Sequence, residues 1–232
     1  MNWSLNTGFV TVAMRLGDGQ NITRSARDIM YDYYYNKFGL GRLTGVEVDG
    51  EAPGLIWSPD TEEGNAVRYS NMAFGQGMNL TMVQVAAAFS SLVNGGKYYK
   101  PTVIAGSVDK DGKYIEDKQT VYSYPISTST ASQLREMIYN ARAQMAIVGD
   151  KVGYYIGGKT GTSQVIENGA YSADGATIGT YIGFGGSEEL SRYVIMVKLS
   201  GEGKSYSGQD SRAIFTEISN WMLDYLEIQP KG

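Results

Sequence analysis

The pattern that most restricts the fold lies in the last third of the chain. Apolar residues alternate with small or polar ones over residues 176–184, and residues 193–199 form a run rich in β-branched side chains. A period of two residues is typical of strands, and the short loop between the two runs favours antiparallel pairing. An amphipathic helical pattern then covers residues 214–225 and stops before Pro230. We therefore predict an antiparallel sheet flanked by helices, which is an α+β fold.

Two helices are predicted near the amino end. Apolar residues recur at helical spacing over residues 9–16 and again over residues 26–38. Gly17 follows the first pattern and Gly39 the second, and glycine commonly ends a helix. Residues 45–71 are rich in glycine, proline and acidic residues, so we expect an irregular surface segment there.

Two capping boxes predict the starts of two further helices. Thr81 with Gln84 begins a helix that runs to Gly95, and Thr130 with Gln133 begins another. Between them, residues 107–114 are predicted to form a hairpin with a turn at Gly112. In the first of these helices, the apolar stripe is predicted to be core and to carry no chemistry. Its members are Met82, Val85, Ala86, Phe89, Leu92 and Val93.

The composition excludes several kinds of site. The chain has no cysteine and no histidine, so it cannot build a histidine-based catalytic triad, a histidine or thiolate zinc site, or a disulfide. Acid–base chemistry must use lysine, carboxylates, tyrosine or water, and we expect no cofactor. Lysine and arginine number 20 against 24 acidic residues, so the net charge is slightly negative and gives no indication of nucleic-acid binding. The chain also shows no membrane-spanning segment or signal peptide, so we expect it to be soluble and untargeted.

The segment from Gly157 to Ser163 has the strongest appearance of a site. If it is an edge strand, Lys159 would supply positive potential, and Thr160 and Thr162 could hold a carboxylate. Gly161 would leave room for a ligand peptide to pair with the main chain. This chemistry suits a peptide acid, and the simple alternative is a turn.

A phosphate-binding loop is a second interpretation of the same segment. Gly153, four residues, and Gly158-Lys159-Thr160 match the Walker A pattern. The intervening residues are bulky, however, and no helical pattern follows, as a phosphate cradle requires. Residues 193–199 also lack an aspartate for magnesium. Nucleotide hydrolysis is therefore disfavoured.

A hydroxyl–amide pair, Ser4 and Asn6, stands before the first helix. By itself it is explained as a helix cap. Together with the later Lys-Thr-Gly, it gives two of the three elements of the penicillin-recognising serine enzymes.

Further blocks extend this likeness along nearly the whole chain. They are Ser4-Leu5-Asn6-Thr7-Gly8-Phe9, Phe38-Gly39-Leu40-Gly41, Thr44-Gly45-Val46-Glu47-Val48, Gly50-Glu51-Ala52-Pro53-Gly54, Ala73-Phe74-Gly75-Gln76-Gly77 with Thr81 and Gln84, Asn94-Gly95-Gly96-Lys97 with Lys100-Pro101, Lys159-Thr160-Gly161-Thr162-Ser163-Gln164 and Tyr181-Ile182-Gly183-Phe184. By these blocks the chain resembles the class B penicillin-binding proteins, the transpeptidases of cell division and elongation.

The resemblance implies an activity and a role for each motif residue. In this family a serine at the head of a Ser-x-x-Lys helix attacks a peptidoglycan stem peptide, and β-lactams trap the same serine. By motif, Ser4 would relay protons, Asn6 would hold the acyl amide, and Lys159 would set the electrostatics. Thr160 and Thr162, with Gly161 between them, would bind the terminal carboxylate. The backbone N–H of Thr162 would form half of the oxyanion hole.

The chain departs from the family at the nucleophile. Ser-x-x-Lys precedes Ser-x-Asn in the family, whereas here Ser-x-Asn begins at Ser4, and the one Ser-x-x-Lys, Ser107 to Lys110, falls in the predicted hairpin. The resemblance thus implies that residues 1–232 are the C-terminal part of a transpeptidase domain, without nucleophile, pedestal or membrane anchor. We expect such a fragment to be inactive alone and, because removing a segment exposes apolar surface, to self-associate.

The same resemblance implies where the parent protein works and leaves two alternatives. The parent would act at the outer face of the bacterial cytoplasmic membrane with other cell-wall synthesis proteins. One alternative is a non-catalytic binding or assembly module with the same fold, which an in-frame Ser-x-x-Lys upstream of Met1 would argue against. The other is a related D,D-carboxypeptidase or β-lactamase, which the blocks between residues 38 and 84 disfavour.

Overall fold

The computed structural model describes residues 3–145, 147, 149–167, 170–171 and 175–231. The chain divides into two compact units, an N-terminal unit (Trp3–Thr128) and a C-terminal unit whose described residues lie between 129 and 231. Within the described residues, no helix is both long enough and apolar enough to cross a bilayer.

The N-terminal unit is mainly helical. Its helices are α1 (Asn6–Met14), α2 (Arg24–Tyr31), α3 (Ala66–Met72) and α4 (Met82–Val93), and α2 continues into a π-helical turn (Asp32–Lys37). Four short strands follow, β1 (Tyr98–Tyr99), β2 (Gly106–Val108), β3 (Tyr114–Glu116) and β4 (Val121–Ser123). β1 pairs with β4 and β2 with β3, both antiparallel. The core consists of Ala13, Ile22, Met30, Ile56, Tyr69 and Met72.

The first two predicted helices are present, with differences at their ends. α1 ends at Met14 rather than at residue 16, and of the predicted apolar stripe only Ala13 is buried. The second helical stretch ends at Lys37, one residue before the predicted end at Phe38, and Gly39 then has a φ of +66°. A side chain other than glycine rarely adopts that conformation, which explains why the helix stops there.

The prediction of an irregular segment over residues 45–71 is wrong for residues 66–71. α3 begins at Ala66, where the Asn65 side chain accepts a hydrogen bond from the Arg68 N–H. The helix spans only seven residues and buries Tyr69 and Met72. Two buried positions are too few to reveal a helical period. The glycine- and proline-rich composition of the segment therefore led to the wrong prediction.

α4 starts at its predicted capping box, but the predicted core stripe is wrong. Only Val93 of that stripe is fully buried, and Met82 is 41% exposed. The buried face instead holds Gln84, Ala88 and Ser91.

Gln84 is buried because it bonds to the backbone of the irregular segment. Its Nε2 donates to the carbonyls of Arg42 (2.5 Å) and Pro53 (2.8 Å). A buried amide is stable when such partners satisfy it, which binary patterning does not anticipate.

The hairpin is confirmed. β2 and β3 pair through a turn in which Asp109 Oδ1 accepts the N–H groups of Asp111 and Lys113, and Gly112 has a φ of +80°. Ser107 therefore lies in a strand and Lys110 in the turn. This Ser-x-x-Lys is not on a helix.

The C-terminal unit contains the main sheet. Its elements are α5 (Thr128–Ala143), β5 (Tyr155–Gln164), β6 (Ile166–Glu167), β7 (Ala170–Tyr171), β8 (Thr177–Gly186), β9 (Ser191–Leu199) and α6 (Gly208–Tyr225). β5, β8 and β9 form an antiparallel sheet in that order, which confirms the predicted pairing. Thr130 is not a helix cap as predicted, because α5 already begins at Thr128.

α6 packs against one face of this sheet. The core cluster comprises Ile156, Tyr181, Val197, Phe215, Leu223 and Ile228. The helix starts at a capping box in which Ser207 and Asp210 satisfy each other's backbone N–H groups. Its first residue, Gly208, lies against β5. The fold thus places a helix N-terminus beneath the predicted site.

Candidate active site

The Lys-Thr-Gly-Thr segment lies in β5, an edge strand of the described sheet. Each of its residues has a partner on β8: Lys159 faces Ile182, Thr160 faces Tyr181, Gly161 faces Thr180, and Thr162 faces Gly179. In the described sheet β5 has a neighbour on one side only. The backbone groups on its other side can therefore pair with an added extended peptide, which agrees with the predicted strand and not with a turn.

The phosphate-loop interpretation does not fit this geometry. Residues 155–164 are extended strand, and no helix follows Thr160. The glycines before the lysine make room for aromatic rings: a Cβ added at Gly157 would lie 2.5 Å from the Phe184 ring, and one added at Gly158 would lie 2.5 Å from the Tyr181 ring. A phosphate cradle needs a loop of open amides instead.

The two threonines share the face of β5 that meets α6. The Gly208 N–H donates to Thr162 Oγ1 at 3.0 Å, and a Cβ added at Gly208 would lie 2.7 Å from Thr160 Cβ. A helix N-terminus carries partial positive charge, which favours an anion nearby. Thr162 is exposed and its hydroxyl accepts from Gly208, so the hydroxyl proton can be donated to a carboxylate.

Lys159 belongs to the opposite face of β5 and reaches back to its neighbour. Its Nζ donates to the Thr160 carbonyl at 2.8 Å and lies 3.3 Å from Thr160 Oγ1. The side chain is half-buried, and this burial lowers the pKa of Lys159 from its ordinary value. The strand therefore brings a desolvated ammonium and two hydroxyls together within four residues.

Ser4 and Asn6 lie in the N-terminal unit at the start of α1. The explanation of this pair as a helix cap is wrong, because the cap residue is Leu5 and it has no side-chain capping bond. Both side chains are exposed, and Ser4 has a φ of +48°, a strained value for a serine. The roles that the resemblance implies for Ser4 and Asn6 stay predictions.

Two residues near β5 were missed by the sequence reasoning. Gly208 allows the close approach of α6, and its only sequence signal is the capping box that starts with Ser207. Arg142, on α5, is buried and bonds to Tyr181 of β8. The sequence around Arg142 shows only a helical pattern, which gives no reason to expect a buried charge.

Among the described residues, no group of three or more acidic side chains is arranged to hold a metal ion.

An antiparallel sheet flanked by helices, with Lys-Thr-Gly on its edge strand, agrees with what the resemblance to the penicillin-recognising enzymes implies. The family model of the penicillin binding protein transpeptidase domain matches residues 1–220. The chain belongs to this family. The predicted resemblance to class B penicillin-binding proteins and the predicted α+β fold are thereby confirmed.

Similar proteins support the same assignment. Penicillin-binding protein PbpB of Mycolicibacterium smegmatis is 30% identical over 233 residues, which cover 95% of this chain and 34% of that protein. Stage V sporulation protein D of Bacillus subtilis is 30% identical over 232 residues, covering 98% of this chain and 34% of that protein. The chain thus spans about a third of the length of these relatives.

A solved structure shows the same fold. Penicillin binding protein 3 of Mycobacterium tuberculosis in its apo form superposes with a TM-score of 0.79 at 28% identity. The match covers 99% of this chain and 51% of that one.

Proposed function

We propose that residues 1–232 are the C-terminal portion of a transpeptidase domain from a peptidoglycan D,D-transpeptidase, and that β5 binds the carboxylate end of a stem peptide. The observation that carries the proposal is the edge strand itself, with half-buried Lys159 at 3.3 Å from the Thr160 hydroxyl and with the Thr162 hydroxyl free to donate. A relative from Neisseria flavescens, 27% identical, bears the name probable peptidoglycan D,D-transpeptidase PenA. Structures of the Mycobacterium tuberculosis protein contain aztreonam or ampicillin, so we extend the proposal to β-lactams.

The geometry suggests how the peptide is held. An extended peptide adds to the open edge of β5, and main-chain hydrogen bonds orient it. Its carboxylate accepts from Thr160 and Thr162, in the positive potential of Lys159 and of the α6 N-terminus. Gly161 presents no side chain, so the peptide can approach closely. The Thr162 N–H then supplies half of an oxyanion hole.

For Ser4 and Asn6 we propose the roles that the resemblance implies. Ser4 relays the proton between the nucleophile and its base, and Asn6 holds the acyl amide. The resemblance further implies that the nucleophile is a serine that forms an acyl-enzyme and that its base is a lysine, and the 232 residues hold no histidine that could take the role of base.

We further propose that the 232 residues alone form no acyl-enzyme. Their one Ser-x-x-Lys lies in the β2–β3 hairpin, where serine and lysine do not share a helix face. Residues that act as a unit lose nearly all catalysis when one is absent. The parent protein would act at the outer face of the cytoplasmic membrane, in cell division or elongation, with other cell-wall synthesis proteins.

Labelling with a fluorescent penicillin tests the missing nucleophile. We expect no covalent band after denaturing electrophoresis of the 232-residue chain, even at high probe concentration. A band that survives denaturation would contradict this part of the proposal, because it requires a serine within the chain to be acylated.

Calorimetric titration with a D-alanyl-D-alanine peptide tests the binding part. We expect measurable affinity for the unmodified chain and none for Lys159→Met. The matched control is Lys198→Met, which removes an exposed lysine from β9 of the same sheet and should bind as the unmodified chain does. Equal binding by Lys159→Met, or no binding by the unmodified chain, would contradict the proposed function. Binding without acylation is also what the non-catalytic module predicts, so the gene upstream of Met1 must separate these two.

A further inference from the structure

A buried guanidinium joins three elements of the C-terminal unit. The Arg142 side chain is 1% exposed. Its Nε and Nη2 form a fork with the two carboxylate oxygens of Asp150, at 2.9 and 2.6 Å. Nη2 also donates to Thr216 Oγ1 on α6 at 2.9 Å, and Nη1 donates to the Tyr181 hydroxyl on β8. One side chain thus ties α5, β8 and α6 together.

The Tyr181 hydroxyl lies next to Gly158, the residue before Lys159. A Cβ added at Gly158 would lie 2.5 Å from the Tyr181 hydroxyl oxygen and from its ring. Tyr181 is also the strand partner of Thr160, and its ring packs against Phe215 at 4.7 Å between centroids. The phenol therefore lies under Gly158, and the residue that carries it pairs with Thr160, so Tyr181 is linked to both neighbours of Lys159.

We propose that Arg142 is a positioning residue for the Lys159–Thr162 segment of β5. By holding the tip of Tyr181 in place, the guanidinium fixes the ring beneath Gly158 and the strand partner of Thr160, and through these two neighbours the direction of the Lys159 side chain. The inference rests on the proposed function for its consequence in peptide binding, but the contacts with β5 stand without it.

The arginine cannot be replaced by another cation without losing this geometry. A guanidinium offers five donors in a rigid plane, and Arg142 uses them toward three different side chains. A lysine at this position keeps the charge but places a single donor group, so it cannot hold Asp150, Thr216 and Tyr181 together. The Tyr181 ring would then lose its fixed position although the core keeps its volume.

The experiment compares Arg142→Lys and Tyr181→Phe with a matched control, Asn220→Ala. Asn220 also fastens α6 to the loop before β5, since its side chain donates to Gly149 O at 2.6 Å and accepts from the Lys151 N–H. It does not contact Tyr181. Thermal unfolding is measured for all three variants, so that a general loss of stability is known for each.

Two further measurements separate positioning from stability. The first is the pKa of Lys159, followed by NMR of chain labelled with ¹⁵N-lysine, with its signal assigned by its loss in Lys159→Met. The second is the affinity for a D-alanyl-D-alanine peptide. In Arg142→Lys we expect the pKa of Lys159 to rise toward its ordinary value, because water reaches a less firmly held side chain. We expect peptide affinity to fall about tenfold, the loss of one hydrogen bond to a charged group.

Tyr181→Phe should shift both quantities in the same direction by less, because its ring remains. If Arg142→Lys does not fold, Tyr181→Phe decides the question. The proposal would be overturned if Arg142→Lys and Tyr181→Phe only melt earlier, as Asn220→Ala is expected to. In that outcome both variants keep the pKa of Lys159 and the peptide affinity of the unmodified chain. If the unmodified chain binds no peptide, the proposed function fails, and the pKa of Lys159 still tests the role of Arg142.

Discussion

At the scale of single residues, the candidate site depends on the absence of a side chain at one glycine of α6. Gly208 lets the first turn of α6 touch β5, with its N–H on Thr162 Oγ1. An added Cβ would lie 2.7 Å from Thr160 Cβ and 2.9 Å from the Gly161 carbonyl oxygen. Backbone atoms cannot turn aside as a flexible side chain can, so the whole helix start would have to move.

We therefore predict that Gly208→Ala destabilises the chain by about 1–3 kcal/mol, the usual cost of overpacking. Urea unfolding followed by circular dichroism measures this. The control is Gly8→Ala in α1, where the nearest atom to an added Cβ is Leu5 Cβ at 3.7 Å. That change should stabilise by about 0.5–1 kcal/mol, because alanine is the better helix former. Equal midpoints for Gly208→Ala and the unmodified chain would show that the contact is not tight.

At the scale of elements, the sequence correctly predicted the features that depend on interactions between residues close together in the chain. The strand alternation in β8 and the capping box of α4 are satisfied within a few residues, and both are confirmed. The buried face of α4 was missed because Gln84 finds its partners in residues distant along the chain, Arg42 and Pro53. The link from Arg142 to Tyr181 escaped for the same reason. Of the site, the strand at Lys159 was predictable, whereas its support from other elements was not.

The irregular segment before α3 is held by a carboxylate, which gives a prediction about pH. The Thr44 hydroxyl and the N–H groups of Thr44 and Gly45 donate to Glu51, and these bonds lower the pKa of Glu51 from its ordinary value. Because the pKa of Glu51 is lower in the folded chain than in the unfolded chain, its ionised form stabilises the fold at pH values above the unfolded pKa of about 4.3. This contribution is lost as the pH falls through the folded-state pKa.

Glu51→Gln should therefore be less stable than the unmodified chain at pH 7, and the difference should shrink below about pH 4. Urea midpoints at pH 7, 5, 4 and 3 measure it. Glu62→Gln, an exposed change in the same segment, serves as the control and should cause no comparable loss at pH 7. A difference for Glu51→Gln that stays constant down to pH 3 would contradict the prediction.

At the scale of the whole molecule, α6 has an apolar stripe on its outer face. Ile214 and Ile218 are 38% and 39% exposed, and Trp221 and Tyr225, whose rings stack at 4.9 Å, are 58% and 67% exposed. The spacing of four, three and four residues is the same in both directions. Two antiparallel copies would therefore set the aliphatic half of each stripe against the aromatic half of the other, as a two-fold interface requires.

We expect the chain to self-associate through this stripe. Trp221→Lys should lower the weight-average mass in concentration-dependent light scattering, because it places a charge at the centre of the contact. Val67→Lys makes the same kind of change at an exposed position of α3 and should leave the mass unchanged. A monodisperse monomer for the unmodified chain at high concentration would contradict this expectation.

The π-helical turn after α2 indicates where the chain can change length. The Phe38 N–H donates to the Tyr33 carbonyl at 2.9 Å, five residues back, so this turn holds one residue more than an α-helical turn. Deleting one residue there would leave an ordinary α-helix whose two ends still meet their neighbours. The same deletion inside α4 would rotate everything after it by about 100° and turn Val93 out of the core. We therefore expect the chain to accept a one-residue deletion in the first of these helices and not in the second.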